Sequence, residues 1–348
     1  MPKDMITPEI KKTLEKQGYR TAGTHSAVKI CGWTKKTILG QGTCYKHKFY
    51  GINTHQCLQM TTSMSCANRC VFCWRDYKSP VSKDWTWNID DPTQILEESQ
   101  KAHEKLLIGF FGNEKANKKI LNETKNIRHA ALSLTGEPIN YPKVNELINE
   151  MHKQKISTFL VTNGQNPESI TKLKRVTQLY LSIDGPDRET LKATGKPLFK
   201  DYWERLIASI DALREKKYRK CIRITLIKEM NDKNPEGYAE LIKRAEPEFI
   251  EVKAYMFIGA SKERLKRENM PQHTEVVDFT KKIKEHLSDY ELISDHKPSR
   301  VALLAHKKLK KRGNWTTWIN FEAFFNGKNN YNEEIPKENL LNINQNKK

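Results

Sequence analysis

Cys66-Ala67-Asn68-Arg69-Cys70-Val71-Phe72-Cys73 places three thiols within eight residues, in the spacing C-x3-C-x2-C. Thiolates are soft, anionic ligands that suit iron–sulfur clusters or zinc. A structural zinc site takes four such ligands, and the local candidates for a fourth are poor. A 4Fe–4S cube held by only three cysteines keeps one iron open to a small molecule. The chain has seven cysteines: these three, Cys31, Cys44, Cys57 and the distant Cys221. An odd count without a secretion signal argues against a disulfide framework, and the clustering argues for metal.

Upstream, Cys31-x12-Cys44-x12-Cys57 has a wide, equal spacing that suits neither a zinc knuckle nor a redox pair. Taken alone it fits three structural thiols; beside a three-thiolate cluster motif, a second three-thiolate cluster is the better reading. Cys221 sits in the strand pattern Cys221-Ile-Arg-Ile-Thr-Leu-Ile and reads as a buried structural cysteine.

Downstream of the cysteines, apolar runs of strand length alternate with amphipathic helical stretches. Strands are expected at 129–134, 157–162, 178–183, 222–227, 249–256 and 299–305. Helices are expected at 91–108, 144–153, 201–216, 236–245 and 272–288. Near-continuous apolar strands separated by helices predict a parallel sheet covered by helices. About six such units curl into a partial or full barrel, with the active site on loops at the C-terminal strand ends. Three turns fall there: Thr135-Gly136-Glu137-Pro138, Thr162-Asn163-Gly164-Gln165 and, after Ser182-Ile183, Asp184-Gly185-Pro186. Each reads equally as a tight turn or as a place where backbone approaches a ligand closely.

The 348 residues carry 61 Lys+Arg against 42 Asp+Glu, a net charge of +19. A chain this basic usually meets a polyanion, nucleic acid being the commonest. The basic clusters Arg214–Lys220, Lys262–Arg267 and Lys307–Arg312 read singly as solvated helix ends. Mean hydropathy is −0.75, and the apolar run Leu106–Phe111 is far short of the ~20 residues a bilayer needs, so no membrane partner is expected. MPKDMITPEI lacks an apolar core for a signal peptide, making the cytoplasm the default. From about Asn326 the chain is rich in Asn, Lys and Glu and reads as a loose, partly disordered extension. Trp315 and Trp318 just before it are expected to pack on the barrel.

The C-x3-C-x2-C spacing, with Phe72 before the third cysteine, resembles the signature of the radical S-adenosylmethionine (SAM) superfamily. The resemblance narrows over His25 to Trp33, Cys44-Tyr-Lys46, Phe49 to Met60, Cys66 to Arg75, Leu134-Thr-Gly-Glu-Pro and Ser182-Ile-Asp-Gly. Together these resemble the archaeal 4-demethylwyosine synthases, the radical SAM enzymes of tRNA wybutosine biosynthesis. The resemblance implies an α/β radical SAM partial (β/α)6-type barrel over 59–305. It also implies an N-terminal cysteine-bearing extension, 1–58, and a C-terminal extension, 306–348.

It further implies a lyase that condenses N1-methylguanosine, 3′ of the anticodon of tRNA-Phe, with pyruvate to give a tricyclic base. The cofactors would be SAM and two 4Fe–4S clusters. Cys66, Cys70 and Cys73 would hold the SAM cluster. Phe72, Gly136, Glu137, Pro138, Thr162, Asn163, Ser182 and Asp184 would bind SAM, with the Gly-Glu-Pro segment on its amino group. Cys31, Cys44 and Cys57 would hold a second cluster whose open iron chelates pyruvate. A lysine near that cluster would form a Schiff base with pyruvate. Lys46 is the choice, with Lys29 and Lys48 next, and a plain salt bridge the other reading of Lys46. The eukaryotic relatives carry an N-terminal flavodoxin-like domain, and none fits before Cys31, so an external donor such as flavodoxin or ferredoxin is expected. A monomer is expected. Two other readings stay open: a different radical SAM tRNA-modifying enzyme with an auxiliary cluster, and a zinc-stabilised RNA-binding protein without catalysis.

Overall fold

The structure is a computed structural model that describes residues 3–75 and 80–341. Its centre is a ten-stranded sheet. In chain order the strands are β1 (Arg20–Ala22), β2 (Ser26–Val28), β3 (Cys57–Thr61), β4 (His129–Leu132), β5 (Ser157–Thr162), β6 (Gln178–Ser182), β7 (Arg219–Leu226), β8 (Phe249–Ala254), β9 (Tyr290–His296) and β10 (Val301–His306). Strands β3 to β8 pair in parallel and in sequence.

Before β3 come helices α1 (Pro8–Lys16), α2 (Gly32–Ile38) and α3 (Tyr45–Tyr50). The crossovers between the parallel strands carry α4 (Pro92–Phe111), α5 (Lys118–Glu123), α6 (Val144–Lys153), α7 (Pro167–Lys172), α8 (Arg188–Gly195), α9 (Tyr202–Arg214) and α10 (Pro235–Ala245). Helix α11 (His273–Glu285) leads to β9, and α12 (Phe321–Phe325) lies near the C-terminus. Local chemistry sets the helix starts. Asp91, followed by Pro92, accepts from the Thr93 and Gln94 amides at 2.9 and 3.2 Å, satisfying donors that the first turn of α4 leaves free.

Successive residues of a strand face opposite sides. Leu160, Leu179, Leu181, Ile222, Ile224, Ile250 and Val252 meet the covering helices in one core. Phe159, Tyr180, Cys221, Phe249, Leu303 and Ala305 form the other, and they pack on Tyr45, Phe49 and Tyr50 of α3. Helix α3 therefore fills the concave face of the sheet.

Three expectations need correction. The strand expected at 299–305 as a further barrel unit is β10, and it runs antiparallel to β8. It follows β9, which the apolar pattern did not reveal, through a four-residue connection too short for a parallel crossover. A second hairpin, β1–β2, extends the sheet antiparallel beyond β3. The strand expected from 222 begins at Arg219. Its first two residues belong to the cluster read as a solvated helix end, yet Arg219 and Lys220 are buried.

The segment read as loose is packed from Asn326 to Leu341; residues 342–348 lie outside the described residues. Buried Arg219 donates from Nε to Gln178 Oε1 at 3.0 Å, from Nη2 to the Thr317 carbonyl at 2.7 Å, and to Asn332 Oδ1. The Tyr331 hydroxyl accepts from the Arg219 amide at 3.2 Å and donates to the Thr177 carbonyl at 2.9 Å. Thr317 Oγ1 donates to the Phe49 carbonyl at 2.7 Å, and Trp318 Nε1 to the Lys48 carbonyl at 3.1 Å. The C-terminal segment thus clasps α3 from below.

Replacing Tyr331 by Phe strands a buried amide and a buried carbonyl. The expected loss is about 1–3 kcal/mol of unfolding free energy, read as a lowered denaturant midpoint.

Candidate functional site

The three downstream thiols sit on the loop that leaves β3 at its C-terminal end. Neighbouring backbone holds the loop: the Glu137 amide donates to the Ser65 carbonyl at 2.8 Å and the Val71 amide to the Thr194 carbonyl at 2.9 Å. Two arginines pin its carbonyls. Arg75 Nη1 donates to Met64 at 2.8 Å; Arg264 donates from Nε to Val71 at 3.1 Å and from Nη2 to Cys73. Cys66 Sγ accepts from the Asn68 amide at 3.4 Å and from Asn163 Nδ2 at 3.3 Å. Burial pushes the Cys66 thiol up to about 11 and raises Cys70 well above the usual thiol range, and each also feels other thiols of the trio.

One cavity of about 140 Å³ gathers Cys66, Cys70, Cys73, Phe72, Gly136, Glu137, Pro138, Thr162, Asn163, Ser182 and Asp184, joined by Asn68, Arg75, Ser133 and Val161. Every residue assigned to the first cluster and to SAM from the sequence is among them. Glu137 Oε2 accepts from the Asn163 amide at 3.1 Å, while its buried Oε1 has no partner among the described residues. Burial raises its pKa to about 7. A buried carboxylate oxygen without a donor fits an amino group entering the cavity. Asp184 Oδ1 accepts from the Thr225 amide at 2.9 Å, and burial raises its pKa to about 6. Gly136 has φ +66°, and a Cβ there would stand 1.8 Å from the Ser63 carbonyl oxygen.

The upstream thiols come from three element boundaries: Cys31 precedes α2, Cys44 precedes α3 and Cys57 opens β3. Burial pushes Cys57 up to about 12, with Cys44 and Cys31 adding to the rise. The three are thus close enough to sense one another. Among the described residues no three His, Cys, Asp or Glu side chains converge as ligands of one metal ion would. In a cube each thiolate binds its own iron, so convergence on a point is not required.

Lys46, on α3, is buried, and its Nζ lies 4.5 Å from the Tyr180 ring centroid and 5.1 Å from that of Phe159. Burial lowers its pKa; Glu251, Cys57 and Cys44 oppose this and Arg223 adds to it. The two other lysines are engaged elsewhere. Lys29 Nζ donates to the Gln17 carbonyl at 2.7 Å and lies over Tyr19 and Trp74. Lys48 Nζ donates to the Asp295 carbonyl at 2.7 Å. Cys221 is buried in the concave core, as its strand pattern implied.

Sequence reasoning missed the charged side chains on β7 and β8: Arg223, Glu251 and Lys253. The signal was present, because each interrupts an apolar strand at alternate positions, the mark of one sheet face. It also missed Arg264, whose loop braces the thiol loop. The Ala260 amide donates to the Trp74 carbonyl at 3.0 Å, and Gly259 (φ +57°) could not carry a Cβ, which would meet that oxygen at 2.4 Å.

The Radical SAM superfamily profile matches residues 60–242. The fold and the thiol cavity thus define a radical SAM protein, a class that uses SAM and an iron–sulfur cluster. A second profile, described as Wyosine base formation, matches residues 244–306. A structure described as TYW1 with a lysine-pyruvate adduct bound superimposes with a TM-score of 0.79 at 40% identity, over 87% of this chain and 97% of that one. An archaeal TYW1 structure gives 0.71 at 36% identity, over 88% and 99%. The TYW1 named as SAM-dependent tRNA 4-demethylwyosine synthase from Xenopus laevis is 46% identical over 324 residues, 93% of this chain and 44% of that protein. The homologue from Oryza sativa is 46% identical over 325 residues, 92% and 50%. The chain belongs to the TYW1 family, and it spans about half the length of the curated relatives it matches.

Gly136→Ala is expected to weaken SAM binding at least about tenfold, because a strained φ and a clash with Ser63 must displace the Glu137 turn. Equilibrium dialysis with labelled SAM checks this.

Proposed function

We propose that this chain is a 4-demethylwyosine synthase, a lyase condensing N1-methylguanosine of tRNA-Phe with pyruvate. The observation that carries the reading is the pairing, on one concave face, of a thiol-lined cavity with a second thiol trio beside a buried lysine that no hydrogen bond among the described residues engages. The relative with a lysine-pyruvate adduct supports Lys46 as the corresponding lysine.

In this reading Cys66, Cys70 and Cys73 hold one 4Fe–4S cluster, and Cys31, Cys44 and Cys57 a second. The first cluster and SAM supply, when bound, the deoxyadenosyl radical that takes hydrogen from the N1-methyl group. The free Oε1 of Glu137 receives the SAM amino group, and Gly136 lets backbone approach it. Lys46, lowered in pKa by burial, attacks pyruvate C2 as the neutral amine. Water leaves, and the protonated imine both fixes pyruvate and makes C2 a better radical acceptor. Tyr180 and Phe159 cover the lysine and keep bulk water from the imine.

The target base must be splayed out of the anticodon loop to reach the strand ends, and the +19 charge provides salt-sensitive phosphate affinity. Reduction calls for an electron donor such as flavodoxin or ferredoxin. Among the described residues no helix is long and apolar enough to cross a membrane; the cytoplasm and a monomeric state complete the proposal.

Anaerobic reconstitution should give a brown protein with roughly eight irons per chain, four per cluster. A colourless protein holding zinc would overturn the reading. Cys66→Ala should abolish SAM cleavage. Cys31→Ala and Lys46→Ala should keep some SAM cleavage yet form no tricyclic base, as measured by nucleoside mass spectrometry with labelled pyruvate. Full product formation by either variant would refute the role given to that residue.

A further inference from the structure

Among the described residues, Arg223 is a charged side chain that no hydrogen bond engages. It lies on β7 with Ser182 of β6 and Glu251 of β8 as its register neighbours. Ser182 lines the thiol cavity. Tyr180, two residues earlier on the same strand, lies under Lys46 Nζ. Adjacent strands stand about 4.8 Å apart and two residues advance about 6.7 Å, which puts the Arg223 backbone roughly 8 Å from that of Tyr180. The guanidinium therefore belongs to the space between Lys46 and the SAM cavity. Its charge acts on Lys46, Asp184 and Lys253 alike.

The other arginines described around this interior have acceptors. Arg219 is bonded to Gln178, Thr317 and Asn332; Arg75 and Arg264 are bonded to carbonyls of the thiol loop. Among the described residues no hydrogen bond, and no ion pair within 4 Å, engages the Arg223 guanidinium. Glu251 does not close on it; one carboxylate oxygen accepts from the Tyr50 hydroxyl at 2.7 Å and the other has no partner. Arg223 keeps accessible surface although it lies deep in the chain. Its five donors and a charge that cannot be shed are therefore open to a ligand that reaches this space. Burial lowers Lys46 and Lys253, so Arg223 is the group here that holds its positive charge, facing the carboxylates of Glu251 and Asp184 without a hydrogen bond to either, and it is placed to receive a small anion.

We propose that Arg223 is the specificity-determining residue for the 2-oxo acid, its guanidinium gripping the carboxylate while Lys46 engages the adjacent keto carbon. This rests on the Lys46 reading above. In a 2-oxo acid the two groups are one carbon–carbon bond apart, so the side chains that serve them must be neighbours. Arginine matches a planar carboxylate with two parallel N–H donors.

The test uses the cluster-reconstituted full chain in three forms: unsubstituted, Arg223→Gln and Arg223→Lys. Each is titrated with pyruvate, or with its neutral analogue pyruvamide, and trapped with cyanoborohydride. The Lys46 adduct is quantified by peptide mass spectrometry, and SAM cleavage is followed in parallel. R223Q is expected to raise the half-saturating pyruvate concentration about tenfold to hundredfold, the range of a charge-assisted pair. R223Q should leave pyruvamide trapping and the SAM dependence within about twofold, and R223K should fall between. The proposal is overturned by equal pyruvate half-saturation in R223Q, by equal losses for pyruvate and pyruvamide, or by a shift in SAM dependence with pyruvate unaffected, which would assign the guanidinium to the methionine carboxylate. Should R223Q not fold, R223K must still show the pyruvate-selective loss. Absence of any adduct in the unsubstituted protein would refute the Lys46 reading and the Arg223 role with it, whereas an adduct with unchanged pyruvate affinity in R223Q refutes the Arg223 role alone.

Discussion

Charge is expensive inside a protein unless an opposite charge or a hydrogen bond stands against it, and the concave face of this sheet concentrates thiols, carboxylates and cations out of water. That constraint organises the structure. It raises Cys44, Cys57, Cys66 and Cys70, with Cys57 pushed to about 12 and Cys66 to about 11, so a metal bound by these thiols must displace their protons. It lowers Lys46 toward the neutral amine and raises Glu137 to about 7. An apolar lining would relieve the cost and remove the chemistry.

The segment matched as Wyosine base formation contributes to the thiol loop as well as to the far wall. Arg264 takes carbonyls of Val71 and Cys73, and the turn at Gly259 closes on Trp74. Val71 and Leu265 share a small apolar cluster with Ile227 and Tyr255. Geometry at the first trio is therefore set partly by residues some two hundred positions downstream.

Much of this was legible in the sequence, for physical reasons that differ by element. The parallel strands announced themselves because both faces are buried, which leaves unbroken runs such as Leu179 to Leu181. The cavity was legible because its residues follow strand ends or sit in tight thiol spacing. Edge strand β9, Tyr-Glu-Leu-Ile-Ser-Asp-His, alternates and looks like loop. Arg219 was hidden because charge in a sequence suggests water, whereas here it is satisfied by Gln178, Thr317 and Asn332. The Asn-rich stretch around Tyr331 was misread for the same reason, since composition cannot show that one tyrosine hydroxyl ties it to β7. Arg223, Glu251 and Lys253 were readable as polar breaks in apolar strands, but only once that face was known to be an interior.

The clasp of the C-terminal segment on α3 also bears on biosynthesis. Thr317 and Trp318 reach the backbone of Phe49 and Lys48, so the seat of Lys46 is incomplete until the ribosome has delivered residues more than 260 positions later. Among the described residues the loop bearing Cys66 to Cys73 takes its bracing arginine from position 264. Nascent chains would thus hold the partners of the thiol loop before those of the helix that carries Lys46, and a chain stalled or clipped between the two would present the first thiol trio with the Lys46 helix still unclasped.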